Sequence, residues 1–197
     1  MSKSAILLSG GMDSIALAYW KRPKIAFTID YGQRPAEAEI TASREVARSL
    51  EMEHFIIHVD CSSLGCGSMS DKSQIAISPS PEWWPYRNQL LVTLAAMKAI
   101  QLGIDELMLG TVKTDGIHAD GTQSFFDCIN SLMLLQEGAI RITAPALNLT
   151  TEELIKLAGV PTSLLLWAHS CHVSNNPCGT CRGCLKYRDV KSHLCIE

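Results

Sequence analysis

The stretch Ser9-Gly10-Gly11-Met12-Asp13-Ser14 constrains this chain more than any other. It stands between a short apolar run, Ser4–Leu8, and a segment of helical character, Asp13–Trp20. Such a run reads as a strand buried on both faces, the habit of parallel sheets. Adjacent glycines let the backbone take positive φ and approach an anion closely. Successive N–H groups at a helix start then form a positively polarised pocket, and the Ser9 and Ser14 hydroxyls add donors. That chemistry fits a pyrophosphate. The loop lacks the Gly-Lys-Ser/Thr ending of a Walker A motif and the glycine spacing of a dinucleotide fingerprint. Asp13 is out of place in a purely anion-binding loop. It makes sense as an indirect Mg²⁺ ligand or as a helix cap. An ordinary strand-to-helix turn is the plainer alternative.

The rest of the chain repeats the strand–helix alternation. Lys24–Ile29 and His54–Val59 read as strands, with a helix over Pro35–Leu50 between them. Asn88–Leu102 reads as an apolar helix, Leu107–Gly110 as a fourth strand, Ser124–Gln136 as a helix and Ala139–Thr143 as a short strand. Thr150 and Glu153 have the spacing of a capping box. The pattern predicts an α/β fold, an open Rossmann-like parallel sheet with helices on both faces and right-handed crossovers. Two long polar segments, Cys61–Pro81 and Thr111–Gln123, read as loops, the first mobile, and loops of that length tend to be functional. We expect one domain over residues 1–197, since no internal repeat or second core is visible.

A net charge of −3 argues against a main role in gripping nucleic acid. No apolar run reaches the length of a membrane span, and the short apolar start does not suit a signal peptide. The expected location is cytoplasmic, where the eight cysteines would not form a disulfide framework. Cys171, Cys178, Cys181 and Cys184 follow a C-x6-C-x2-C-x2-C spacing. Four thiolates at that spacing close the shell of a structural Zn²⁺, giving a small C-terminal zinc knuckle within residues 170–185. An iron–sulfur cluster uses similar spacing and is the alternative. Cys128, on a predicted helix, reads as core packing. Cys61 and Cys66 are either reactive or incidental.

The glycine loop resembles the Ser-Gly-Gly-x-Asp-Ser signature of the PP-loop ATP pyrophosphatases at every fixed position. Further stretches resemble the 7-cyano-7-deazaguanine synthase family in the same order: Asp30-Tyr31-Gly32-Gln33-Arg34, Trp84-Pro85-Tyr86-Arg87-Asn88, Ala144-Pro145 with Leu149-Thr150, Gly159-Val160-Pro161, and Ser170 to Leu185. The resemblance implies an ATP-dependent carbon–nitrogen ligase with Mg²⁺ and Zn²⁺. Such an enzyme adenylates the carboxylate of 7-carboxy-7-deazaguanine. Ammonia then displaces AMP to give an amide, and a second activation gives the nitrile. By position, Ser9, Gly10, Gly11, Asp13 and Ser14 would hold pyrophosphate. Asp30, Tyr31, Asn88, Gly110 and Thr111 would complete the nucleotide site. Arg87 would contact phosphate or the substrate carboxylate in a bidentate way, and Lys113 is a further donor. Asp13, Arg87 and Lys113 are thus the catalytic candidates, and Asp115, Asp120 and Gln123 the substrate-binding ones. Trp83 and Trp84 are expected to pack the loop.

Departures from the family's pattern fall in two places. Pro35 follows Gln33-Arg34 where the family has His. The substrate loop, similar to Asp-x-Ser-Gly-Tyr-Pro-Asp-Cys-Arg-Pro-x-Phe in the family, reads Thr114 to Phe126 here, without the Tyr-Pro-Asp-Cys-Arg-Pro core. The resemblance therefore leaves alternatives: a diverged, antiphage-type relative that stops at the amide or joins the acid to an amine such as a protein terminus, or a tRNA-modifying adenylating enzyme. A protein that merely senses nucleotide is disfavoured by the intact loop. A protein acceptor is a candidate partner, and a homodimer a candidate assembly.

Overall fold

A computed structural model of the protein describes residues 3–195. Five parallel strands form one sheet in the order β3-β2-β1-β4-β5. They are β1 Ser4–Leu7, β2 Ile25–Asp30, β3 Glu53–His58, β4 Glu106–Leu109 and β5 Arg141–Thr143. The helices are α1 Met12–Lys21, α2 Ala36–Ser49, α3 Arg87–Gln101, α4 Gln123–Leu134, α5 Thr151–Ala158, α6 Thr162–Leu165 and α7 Arg182–His193.

Strand alternation divides the core into two layers. Ala5, Phe27 and Leu107 face Val92, Ala95 and Ala99 of α3 and Phe126 and Ile129 of α4. Ile6, Ala26 and Met108 face the opposite way, against Ile15 and Leu17 of α1, Val46 of α2, Leu154 of α5 and Val190 of α7. Helices therefore cover both faces, as the near-continuous apolar strands require. Ile6, Ile15, Leu17, Leu107 and Leu154 are fully buried, each stabilising the fold by about 1.5–3 kcal/mol.

Local capping fixes the element starts. Thr150 Oγ1 accepts from the Glu153 amide at 3.2 Å, and the Glu153 carboxylate accepts from the Thr150 amide at 2.8 Å. Gly159 then ends α5 in the left-handed region at φ 64°, which glycine enters without a Cβ penalty. The short helix α6 has no counterpart in the sequence reading, because four residues carry too little periodicity to register. Cys128 lies exposed on α4 rather than in the core, while Cys61 and Cys66 are buried. Within the Cys61–Pro81 segment Ser68 N donates to Pro81 O at 2.7 Å, and from outside it Arg34 N donates to Met69 O at 2.9 Å.

In this strand order β1 and β4 are neighbours whose connections leave in opposite directions. Open α/β sheets bind ligands at the carboxyl ends of the strands beside such a switch point.

Candidate active site

The glycine loop crosses that switch point. Gly10 has φ +77°, and a Cβ there would lie 2.8 Å from both Ala42 Cβ and Glu39 O. Glycine is thus required twice, for its dihedral and for the close approach to α2. Gly11 is the N-cap of α1, and no side chain caps that helix, so its first amides remain available to an anion. Ser9 Oγ donates to Ser14 Oγ at 3.2 Å, and Ser14 Oγ also lies 3.0 Å from Gly11 O. Across the gap, a Cβ on Gly110 would sit 2.8 Å from Ser14 Cα, so β4 exits in contact with the start of α1.

These elements form one wall of a cleft of about 680 Å³. Of the residues singled out from sequence, Ser9, Gly11, Asp13, Ser14, Tyr31, Arg87, Asn88, Gly110, Thr111, Asp115 and Asp120 line it. Four others do not. Gly10 lies under the loop against α2. Asp30 turns away, accepting from Gly32 N at 3.1 Å and standing 3.3 Å from His58 Nδ1. Lys113 is exposed at the start of a 3-10 turn, Lys113–Ile117. Gln123, exposed in the first turn of α4, donates to Asp127 at 2.8 Å.

Asp13 is not a helix cap. Its Oδ2 meets Lys186 Nζ at 2.8 Å and its Oδ1 accepts from Thr151 Oγ1 at 2.7 Å. Burial raises the Asp13 pKa, Lys186 opposes the rise and Asp115 reinforces it. Burial alone would lower the Lys186 pKa, but the Asp13 and Asp115 carboxylates outweigh it and the net shift is upward. Lys186 and Thr151 escaped the sequence reading. Lys186 stands two residues beyond the last thiolate, on the helix that the cysteines begin; Thr151 follows the capping threonine and is 1% exposed despite being polar.

The inner wall is built around Arg87. Tyr86, just before it, is held at φ 55°, a left-handed conformation costly for a bulky side chain. Trp84 is 2% exposed and meets Tyr31 edge-on with ring centroids 4.9 Å apart, so it packs the loop as expected. Gln33 Nε2 donates to Ile29 O at 3.0 Å and to Glu39 Oε2 at 2.9 Å, while its carbonyl accepts from Tyr31 N. Burial pushes Glu39 up to about 7, although Gln33 and Arg87 favour its charged form. Arg87 has its pKa raised: burial acts downward, and Tyr31, Asp120, Glu39 and Asp115 outweigh it.

The outer wall carries Asp115 and Asp120. Asp115 Oδ2 accepts from Val112 N at 3.0 Å, and Asp120 Oδ2 from Asn88 N at 3.4 Å. Each carboxylate therefore caps a turn with one oxygen while lining the cleft. A further group, not foreseen from sequence, joins this wall to α7: Arg182 donates to the buried Glu82 at 3.0 Å, and His118 lies 3.9 Å from the same carboxylate. No motif marks Glu82, whose partner is 100 residues away in the chain.

Beside the cleft the four cysteines converge, with their sulfur atoms all within 4.8 Å of one another. Cys178 and Cys184 sulfurs are 3.9 Å apart, as are those of Cys171 and Cys181. Tetrahedral zinc with Zn–S bonds near ~2.3 Å sets sulfurs ~3.8 Å apart, so the cluster fits such an ion. Amide N–H groups point at the sulfurs, from Cys181 to Cys178 at 3.3 Å and from Cys184 to Cys181 at 3.4 Å. Donors from Thr180 and Cys181 bring the Cys178 thiol down to about 6, while burial pushes Cys184 up to about 12, so it is a bound cation that would hold all four as thiolates.

A parallel sheet with this loop at its switch point and a thiolate knuckle against the cleft places the protein among the PP-loop ATP pyrophosphatases. Residues 3–190 match the family described as "Queuosine biosynthesis protein QueC", and the chain belongs to that family. Among curated proteins it is 30% identical to the 7-cyano-7-deazaguanine synthase of Desulforudis audaxviator, with 96% of each chain covered. It is 26% identical to that of Methanocaldococcus jannaschii, covering 93% of this chain and 92% of the relative. It is also 30% identical to that of Azotobacter vinelandii, covering 92% and 90%.

Proposed function

We propose that the protein adenylates a carboxylate of the 7-deazaguanine type with ATP and passes it to ammonia. The observation that carries this reading is the uncapped α1 start, with Ser9, Gly11 and Ser14 facing a cleft that also holds Arg87. In the first step the carboxylate oxygen bonds to the α-phosphorus and pyrophosphate departs. The loop amides and hydroxyls stabilise the leaving pyrophosphate. Arg87 orients the substrate carboxylate or the α-phosphate. Ammonia attacks the acyl carbon, AMP leaves with the carboxylate oxygen, and a proton is released. Adenylation of the resulting amide oxygen, followed by loss of AMP and two protons, gives the nitrile. Asp115 and Asp120 would accept N–H donors from the edge of a guanine-like ring.

Mg²⁺, when bound, would neutralise phosphate charge. Both Asp13 oxygens already have protein partners, so Asp13 suits a cation held through water. The knuckle would hold Zn²⁺ as a closed structural site.

The test is pyrophosphate release from ATP with and without 7-carboxy-7-deazaguanine, followed by the product's mass. Release that depends on the acid supports the reading; release indifferent to it contradicts the substrate. The altered Thr114–Phe126 loop favours a second reading, in which the reaction ends at the amide or on another amine. The product mass separates nitrile, amide and conjugate.

A further inference from the structure

The knuckle and the glycine loop are fastened together at two points. His169 N, just ahead of the first cysteine, donates to Gly10 O at 2.9 Å. Lys186, just past the last, reaches Asp13 at 2.8 Å. The start of α7 is fixed by a cysteine sulfur, because Cys181 Sγ accepts from the Cys184 amide at 3.4 Å. The helix also sits tight on the knuckle strand: a Cβ on Gly183 would overlap Ser170 O, only 1.8 Å away. The position of the Lys186 ammonium thus follows from the metal site through less than one helical turn.

At its tip, Lys186 is the one ammonium that lines the cleft among the described residues. It stands over a loop that already presents uncapped amides and two hydroxyls. Its partner Asp13 belongs to that same loop. A lysine ammonium is a compact charge on a flexible stem, so it can change partners over a short distance.

We propose that Lys186 is a phosphate-binding residue of this site, held by Asp13 until a phosphate takes its place. The inference rests on the pyrophosphate reading of the glycine loop. When the triphosphate binds, the ammonium moves from the Asp13 carboxylate to a phosphate oxygen, and Asp13 is released to face the accompanying cation. The thiolate knuckle then has a second role beyond stability, since it sets where a phosphate-binding charge stands.

The charges make opposite predictions for the two partners. Inorganic pyrophosphate is titrated calorimetrically, in magnesium-free buffer, into the parent, Asp13→Asn, Lys186→Met, Lys186→Arg and Asp13→Asn/Lys186→Met. Metal content and melting temperature are measured for each. Removing Asp13 deletes a competing anion, so Asp13→Asn binds pyrophosphate severalfold more tightly than the parent. The double variant leaves no orphaned buried charge, so it folds, and it binds at least tenfold more weakly than Asp13→Asn. Lys186→Met is weak, and Lys186→Arg recovers most of the affinity. A pair that serves only the fold predicts something else: Asp13→Asn weakens binding as Lys186→Met does, or the double variant binds like Asp13→Asn. Either result overturns the proposal. A parent that binds no pyrophosphate, with or without magnesium, sinks the pyrophosphate reading itself and this inference with it.

Discussion

Glu39→Gln is the substitution whose effect follows most directly from the electrostatics of the cleft. Burial raises the Glu39 carboxyl from 4.5 to about 7, against the pull of Gln33 and Arg87. The folded protein therefore holds this proton more tightly than the unfolded chain does. The resulting stability is fully present below pH 4.5 and is lost as pH rises through about 7. At ~1.36 kcal/mol per unit the gap corresponds to about 3 kcal/mol. Solvent reaching the open side of the cleft lowers this to about 1–3 kcal/mol. A glutamine keeps an acceptor for Gln33 Nε2, now at 2.9 Å from Glu39 Oε2, but it cannot ionise. We predict equal melting temperatures for parent and variant near pH 4.5. At pH 8 the variant should melt several degrees higher, since ~1 kcal/mol moves a domain of this size by ~2–4 °C. Thermal unfolding followed by circular dichroism across that range checks it. Parallel curves at every pH would mean that Glu39 is as well hydrated in the folded protein as in the unfolded chain, and burial would not raise its carboxyl.

Other outcomes follow from the same geometry. Cys181→Ser should lose bound metal and lower the melting temperature through loss of the site itself, since a serine still caps α7; a variant that keeps its stability and loses only turnover would contradict a structural site. Asp13→Ala should retain the fold yet release no pyrophosphate from ATP in the presence of magnesium, and an unchanged rate would reduce Asp13 to a partner for Thr151 and Lys186. Asp115→Ala and Asp120→Ala should weaken binding of 7-carboxy-7-deazaguanine by about 2–3 kcal/mol, tens to hundreds of fold. ATP affinity measured alongside shows whether the loss of their turn-capping bonds has spread. If both variants bind the acid like the parent, the loop does not read that ring.

Much of the fold was legible because it rests on local signals. Ile6 and Leu17 sit in uninterrupted apolar runs, and Thr150 with Glu153 writes a capping box directly into the chain. Gly10 and Gly11 were legible for the same reason, since an unusual dihedral and a close approach both demand glycine at fixed positions. The four cysteines announced themselves by spacing. The relations that failed to show were long-range and used common residue types. Lys186 reaches Asp13 across 173 residues and Arg182 reaches Glu82 across 100, and nothing local distinguishes those side chains from solvated ones. Lys113 and Gln123 follow β4 in sequence, but the chain turns at Lys113–Ile117 and carries both outside the lining of the cleft. Asp30 was placed correctly at a strand end, and its side chain then found nearer partners in Gly32 and His58.

The central claim is that a substrate carboxylate attacks the α-phosphate of ATP, and oxygen labelling tests it most directly. 7-Carboxy-7-deazaguanine labelled with ¹⁸O in its carboxylate is incubated with the protein, ATP, magnesium and ammonia in unlabelled water, and the AMP is analysed by mass spectrometry. The account predicts that each AMP carries one ¹⁸O from the substrate while the pyrophosphate carries none. AMP free of the label, or ADP and phosphate in place of AMP and pyrophosphate, would contradict it.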